Sequence, residues 1–106
     1  MNAQQFNQNI VKPQLDFIEN LLIKKTEEYN LDEKDRFSDF KQGAGLTGET
    51  PEQVLFGYML KHIVSVASMV SSGEVYSKER WNEKLTDIQI YALLLRGLVE
   101  DTGRAS

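Results

Sequence analysis

The sequence contains no cysteine and a single histidine, His62. The lack of cysteine excludes disulfides, zinc-thiolate sites and thiol nucleophiles. One histidine cannot form a multi-histidine metal site within one chain. Any bound metal would therefore be a hard cation held by oxygen atoms, such as Mg²⁺, Mn²⁺ or Ca²⁺.

Positive charge is also scarce, because the formal net charge is −4. Nucleic acids and anionic membranes are bound through clustered Lys and Arg, so we expect neither as a partner. No run approaches the roughly 18 apolar residues of a membrane span. The first five residues also lack the features of a signal peptide. These absences predict a cytoplasmic protein, while a small phosphorylated ligand stays compatible with the charge.

The chain length of 106 residues predicts a single domain spanning positions 1–106. Apolar periodicity predicts an all-α fold with three main helices and one short helix. Because the connections between the main helices are short, we expect an antiparallel bundle.

The first half of the chain is predicted to hold one long and one short helix. The long helix covers about 9–29, with Pro13 in its first turn. The short helix covers about 32–41 and places Phe37 and Phe40 on one face. A loop is predicted over 43–48, because three glycines in six residues are costly inside a helix.

The second main helix has the strongest start signal in the chain. Thr50, Pro51 and Gln53 match a capping box with proline in the first turn, and Gly73 marks the end. Within it, His62 falls on the apolar stripe, which favours a half-buried histidine with one hydrogen bond. The stripe consists of Leu55, Tyr58, Met59, His62, Val66 and Met69.

The third main helix is predicted from Ser77 to Asp101, with a stop at 102–103. Two apolar stripes run along it, and a helix that is apolar on two sides must be covered on both. The stripe predicted to face the core is Trp81, Leu85, Ile88, Ala92, Leu95 and Val99. The second band, predicted to form an oligomer interface or a cleft, is Ile90, Tyr91, Leu94 and Leu98.

Two acidic residues near the start of this helix are a candidate metal site. Glu83 and Asp87 are four residues apart, so their carboxylates are neighbours on one face. Such a pair can bind one divalent cation. The alternative is that both residues are solvated and stabilise the helix through its dipole.

Cationic and aromatic residues in the middle of the chain are candidates for ligand binding. Arg36 and Lys41 flank Phe37 and Phe40, which together could hold a base and a phosphate. The alternative is a surface helix with two core phenylalanines. Lys61, in the second main helix, is either solvated or able to reach a phosphate.

The segment 81–95, Trp-Asn-Glu-Lys-Leu-Thr-Asp-Ile-Gln-Ile-Tyr-Ala-Leu-Leu-Leu, resembles the last core helix of small MazG-like proteins. These are all-α nucleotide pyrophosphohydrolases and their phage-encoded relatives. The resemblance implies a MazG-like bundle, completed by assembly into a dimer or tetramer. It also implies that Glu83 and Asp87 ligate Mg²⁺, that Lys61 neutralises phosphate, and that Phe37 or Tyr91 packs on the base.

The sequence thus leaves two functions open. One is a MazG-like protein that binds a nucleoside phosphate with Mg²⁺ and, if active, hydrolyses a phosphoanhydride. The other is a non-enzymatic, phage-type, homo-oligomeric protein-interaction module. No catalytic residue can be named, because the second acidic pair of the enzymes has no counterpart beyond Glu52. The candidates that could complete a metal site are Asp16, Glu19, Glu27 and Glu28.

Overall fold

The computed structural model describes the backbone of residues 1–29 and 35–106. It describes the side chains of residues 1–24 and 35–106. All the regular secondary structure in these residues is helical, which confirms the all-α class. The chain divides into two compact units, Met1–Arg36 and Phe37–Ser106. Each unit is described by itself.

The N-terminal unit consists of α1 (Ala3–Phe6), a π-helical segment (Asn7–Val11) and α2 (Lys12–Tyr29). The predicted start near residue 9 is wrong, because a capping box begins the helix earlier. The Asn2 side chain accepts a hydrogen bond from the Gln5 amide at 2.8 Å, and the Gln5 side chain accepts from the Asn2 amide at 2.9 Å. An Asn-x-x-Gln box therefore satisfies two amides that would otherwise lack partners.

The π-helical segment lies directly before Pro13, inside the helix. Proline donates no amide hydrogen, and its ring crowds the carbonyl four residues earlier. A wider turn relieves this crowding, and the Lys12 amide donates to the Asn7 carbonyl, five residues back. We attribute the π-helical segment to Pro13, since such segments are otherwise rare.

The C-terminal unit consists of α3 (Ser38–Thr47), α4 (Pro51–Ser72) and α5 (Lys78–Asp101). The predicted ends of the two long helices are confirmed. Thr50 and Gln53 form the capping box of α4, and Ser77 accepts from the Arg80 amide at the start of α5. Gly73 ends α4 in the left-handed conformation, with φ 67°.

The loop predicted over 43–48 is wrong, because α3 continues to Thr47. A Cβ atom at Gly43 would lie 3.1 Å from Val54 Cγ1, so glycine permits the close approach of α3 to α4. Gly48, with φ 77°, then ends the helix. The short helix predicted over 32–41 overlaps α3 only from residue 38, and its residues 32–34 lie outside the described part of the chain.

The helices α4 and α5 form an antiparallel hairpin. Glu52 at the start of α4 bonds to Thr102 after the end of α5, and His62 near the middle of α4 contacts Asp87. Helix α3 packs on one side of this hairpin. The ring centres of Phe40 and Tyr58 are 6.2 Å apart in an edge-to-face arrangement.

The buried face of α5 differs from the predicted one. Its buried residues are Thr86, Ile90 and Leu98, so the second band contributes to the core of the unit. The stripe that was predicted to be the core is half-buried or exposed, and Leu85 retains 39% exposure. Both stripes are apolar, and the packing against the rest of the unit, not the stripe's composition, decides which one is buried.

Helix α4 is unusually apolar for its exposure. It has 22 residues, its most apolar window has a mean hydropathy of 1.5, and 11% of that window is buried. By length and composition it could cross a membrane. No other helix within residues 1–29 and 35–106 is both long and apolar enough to do so. A single helix of this length and composition does not by itself establish a membrane span.

Candidate functional site

The middle of the α4–α5 hairpin brings together an imidazole, a carboxylate and a phenol. His62 Nδ1 lies 3.4 Å from a carboxylate oxygen of Asp87. The rings of His62 and Tyr91 are stacked, with centroids 5.1 Å apart. The side chains of His62 and Asp87 are 31% and 40% exposed, so a small solute can reach them. The predicted half-burial of His62 is confirmed.

Tyr91 keeps its proton at neutral pH. Burial raises the pKa of its hydroxyl, and the nearby Asp87 carboxylate and Tyr58 raise it further. The group is therefore a hydrogen-bond donor and a stacking surface in this cluster.

Lys61 lies at about the same level of α4 as His62. Its ammonium group is 5.5 Å from the centre of the Tyr58 ring, which is a cation–π distance. Lys61 is exposed, so it can leave the ring and meet an anion at modest cost.

The acidic pair does not form a closed metal site by itself. Glu83 is exposed, while Asp87 contacts His62. Within the part of the chain that the structure describes, no group of three His, Asp or Glu side chains could hold a metal ion. A cation on this pair would keep most of its water ligands, as Mg²⁺ commonly does.

Phe37 and Lys41, which were also predicted to bind the ligand, lie apart from this cluster. Phe37 lies against α5 beyond Tyr91, since a Cβ at Gly97 would be 3.0 Å from its ring. Lys41 forms an ion pair with Asp101 at 2.7 Å. Arg36 is exposed and belongs to the N-terminal unit. Phe37 is half-buried in this packing.

A buried carboxylate at the open end of the hairpin was not predicted. Glu52 is 7% exposed, accepts a hydrogen bond from the Thr102 hydroxyl, and lies 3.8 Å from Arg104. The Thr102 hydrogen bond is the main cause that lowers the pKa of Glu52, against the opposing effect of burial. Sequence offered only its place in the first turn of α4, which is typical of any helix start.

An extended apolar face runs along both long helices, and we call it the outer apolar face. On α4 its positions, apart from the additional Val64, are spaced by four and three residues, as they are on α5. Such spacing is typical of helices that pack side by side. On α4 it comprises Phe56, Leu60, Ile63, Val64, Ala67 and Val70. On α5 it comprises Trp81, Leu85, Ile88, Ala92, Leu95 and Val99.

Both stripes lie on the same side of the hairpin. Phe56 of α4 and Leu95 and Val99 of α5 line one open groove of about 680 Å³. The α4 residues that α3 covers, Val54 and Tyr58, are each two residues from an outer-face position. Since a helix turns by about 100° per residue, they point about 160° away. Helix α3 and the outer apolar face are therefore on opposite sides.

On α4, acidic groups are confined to the open end of this face. Glu49, Glu52 and Arg104 line the groove there. Between Glu52 and the end of α4 the acidic or basic residues are Lys61 and His62. Lys61 projects toward Tyr58 and His62 contacts Asp87, so both point away from the outer face.

Comparison with known proteins gives no match to a family model, to a curated protein or to a solved structure.

Proposed function

We propose that this protein is a non-enzymatic, cytoplasmic helical module that self-associates through the outer apolar face. The observation that carries the proposal is the exposure of large apolar side chains on that face of α4. Phe56, Leu60 and Val64 are 48%, 45% and 57% exposed, and Val70 is 66% exposed. A helix that is apolar on two sides is stable in water when both sides are covered.

A second copy of the chain fits this face better than an unrelated partner. Regular four–three spacing on both helices lets identical hairpins interdigitate. At about 200 Å² for a large apolar side chain, the exposed fractions of five outer-face residues leave on the order of 500 Å² uncovered. These five are Phe56, Leu60, Val64, Val70 and Leu85. A standard interface buries about 800 Å² per partner, so these side chains alone supply more than half of one.

Leu60→Glu is expected to dissociate the dimer. The substitution would place a charge in an apolar interface without a partner, which weakens association by at least about 100-fold. Sedimentation equilibrium should show the wild-type chain at twice its 12.1 kDa mass and the variant at 12.1 kDa.

Leu93→Glu is the matched control. Leu93 is 51% exposed, close to the 45% of Leu60, but it lies outside the outer apolar face. This variant should remain dimeric with an unchanged helical circular dichroism spectrum. A monomeric wild type at 100 μM would contradict the proposal, and so would equal dissociation by both variants. Recovery of a monomer with lipid vesicles would instead indicate that a membrane covers the face.

A second candidate function is binding of a nucleoside phosphate with Mg²⁺. The observation that favours it is the meeting of Asp87 and Tyr91 with His62, and of Lys61 at the same level of the hairpin. In this candidate Tyr91 stacks on the base, Lys61 neutralises phosphate, and Glu83 with Asp87 holds a hydrated cation. A phosphoanhydride would then be attacked by a metal-activated water.

Thermal melting with 5′-nucleotides, with and without Mg²⁺, tests this candidate. At 100 times Kd a ligand stabilises the fold by about 2.7 kcal/mol, which raises Tm by several degrees. Glu83→Gln should remove the Mg²⁺-dependent part of that shift while leaving the protein folded. If no nucleotide shifts Tm, or if Glu83→Gln responds like wild type, Glu83 and Asp87 do not bind a cation and only stabilise the start of α5 as solvated acidic residues.

A further inference from the structure

Two hairpins can meet through the outer apolar face in two symmetric ways. In the axial arrangement the two-fold axis runs parallel to the helices, and α4 packs on the α5 of the other copy. In the crosswise arrangement the axis is perpendicular to the helices, and α4 packs on the other α4. From the charges at the ends of the face, we propose that the protein forms the axial four-helix bundle; this inference rests on the proposed self-association.

At the open end of the hairpin the axial arrangement pairs opposite charges. Glu49 and Arg104 line the same groove, one beside α4 and the other beside α5. When α4 lies on the α5 of the second copy, Glu49 of each copy faces Arg104 of the other. Such pairs at the rim of an interface favour one orientation over another more than they add affinity.

At the other end of the hairpin the charges agree with the same arrangement. Glu74 follows the end of α4, just beyond Gly73, and Lys78 is the first residue of α5, seven residues before Leu85. An acidic group therefore lies at the loop end of α4, and a basic group lies at the loop end of α5. In the axial bundle Glu74 of one copy faces Lys78 of the other.

The crosswise arrangement brings like charges together at every corner. It reverses one hairpin, so that Glu49 approaches Glu74 of the second copy and Arg104 approaches Lys78. Like charges placed opposite one another across an interface oppose the pairing. The same apolar face therefore supports both arrangements, and its end charges select the axial one.

A single spin label per chain distinguishes the two arrangements in the full-length protein. The chain has no native cysteine, so Glu79→Cys gives one labelling site, at an exposed position away from the outer apolar face. In the axial dimer both labels lie at the same end of the bundle, at about 25 Å, given helix spacings of about 10 Å. In the crosswise dimer they lie at opposite ends, at about 40 Å, given a rise of about 1.5 Å per residue.

Charge exchange provides an independent readout. Glu49→Arg should raise the dimer Kd by about tenfold, and adding Arg104→Glu should restore it. The free energy of unfolding is measured for each variant, because Arg104 also contacts Glu52 of its own chain. Arg96→Glu, at an exposed position of α5 where Arg96 pairs with Glu100 of its own chain, is the control and should leave the Kd within about twofold.

The outcomes separate this inference from the proposed function. A dimer with label distances near 25 Å and restoration by the double variant supports the axial bundle. A dimer with distances near 40 Å overturns it while the self-association stands. Absence of any dimer in sedimentation overturns both.

Discussion

Leu98→Ala is expected to lower the free energy of unfolding by about 2–5 kcal/mol, the usual cost of removing a buried leucine side chain. Leu98 has 0% exposure on α5, so the deleted methyl groups leave a cavity that the neighbouring helices can close only in part. Urea unfolding monitored by circular dichroism would measure the difference, at one fixed protomer concentration because self-association adds to apparent stability.

Leu93→Ala is the comparison for Leu98→Ala within the same helix. Leu93 is 51% exposed, so its truncation should cost less than about 1 kcal/mol. This comparison separates the structure from the sequence prediction, because the sequence analysis placed Leu98 in the band predicted to form an oligomer interface or a cleft, outside the core stripe of α5. Equal losses from the two variants, or a negligible loss from Leu98→Ala, would show that the other stripe of α5 faces the core.

The choice of buried face on α5 could not have been made from the sequence. Its stripes are both apolar and both regularly spaced, and periodicity reports that a face is apolar without reporting what covers it. Phe37, directly before α3, packs beside Gly97 and so helps to position the start of α3 against α5. That contact joins residues sixty positions apart, so no local pattern contains it.

Helix ends were predicted where short-range chemistry decides them. Thr50, Gly73 and Ser77 act within one turn of their own positions, and the structure places all three as predicted. The Asn2 capping box was missed because Pro13 was taken to lie in the first turn of the helix, which placed the predicted start near residue 9. Gly43 was misjudged because its cost in a helix is offset by close packing on Val54, which is a tertiary effect.

The candidate site was predictable only in part for a related reason. Asp87 and Tyr91 are one turn apart on α5, so their common face follows from spacing. Their meeting with His62 depends on how α4 and α5 align, which the short connection restricts but does not set. Phe37 was grouped with its neighbours by proximity in sequence, and its packing on α5 beside Gly97 could not be read from that proximity.

Glu52 shows how a charged residue can belong to the core of such a hairpin. A buried carboxylate is costly unless its oxygens are hydrogen-bonded. Here the Thr102 hydroxyl donates to one oxygen and Arg104 lies 3.8 Å from the other. The contact joins the start of α4 to the end of α5, so it should keep these two helix ends packed against each other.

Thr102→Val is expected to destabilise the protein by about 1–3 kcal/mol at pH 7, because it keeps the side-chain shape but removes the donor to a buried charge. Thr47→Val is the matched control. Its hydroxyl donates to the Gly43 carbonyl of its own exposed helix end, so its loss should cost less than about 0.5 kcal/mol.

The penalty of Thr102→Val should also depend on pH. The pKa of Glu52 is lowered in the folded state, mainly by Thr102, from a usual value of 4.5. A lowered carboxyl pKa contributes stability above the unfolded pKa, and that contribution is lost as pH falls through the folded value. The difference between wild type and Thr102→Val should therefore be full at pH 6–7 and shrink below about pH 4. A difference that stays constant across this range would mean that Thr102 acts through its bond to the Leu98 carbonyl rather than through the charge of Glu52.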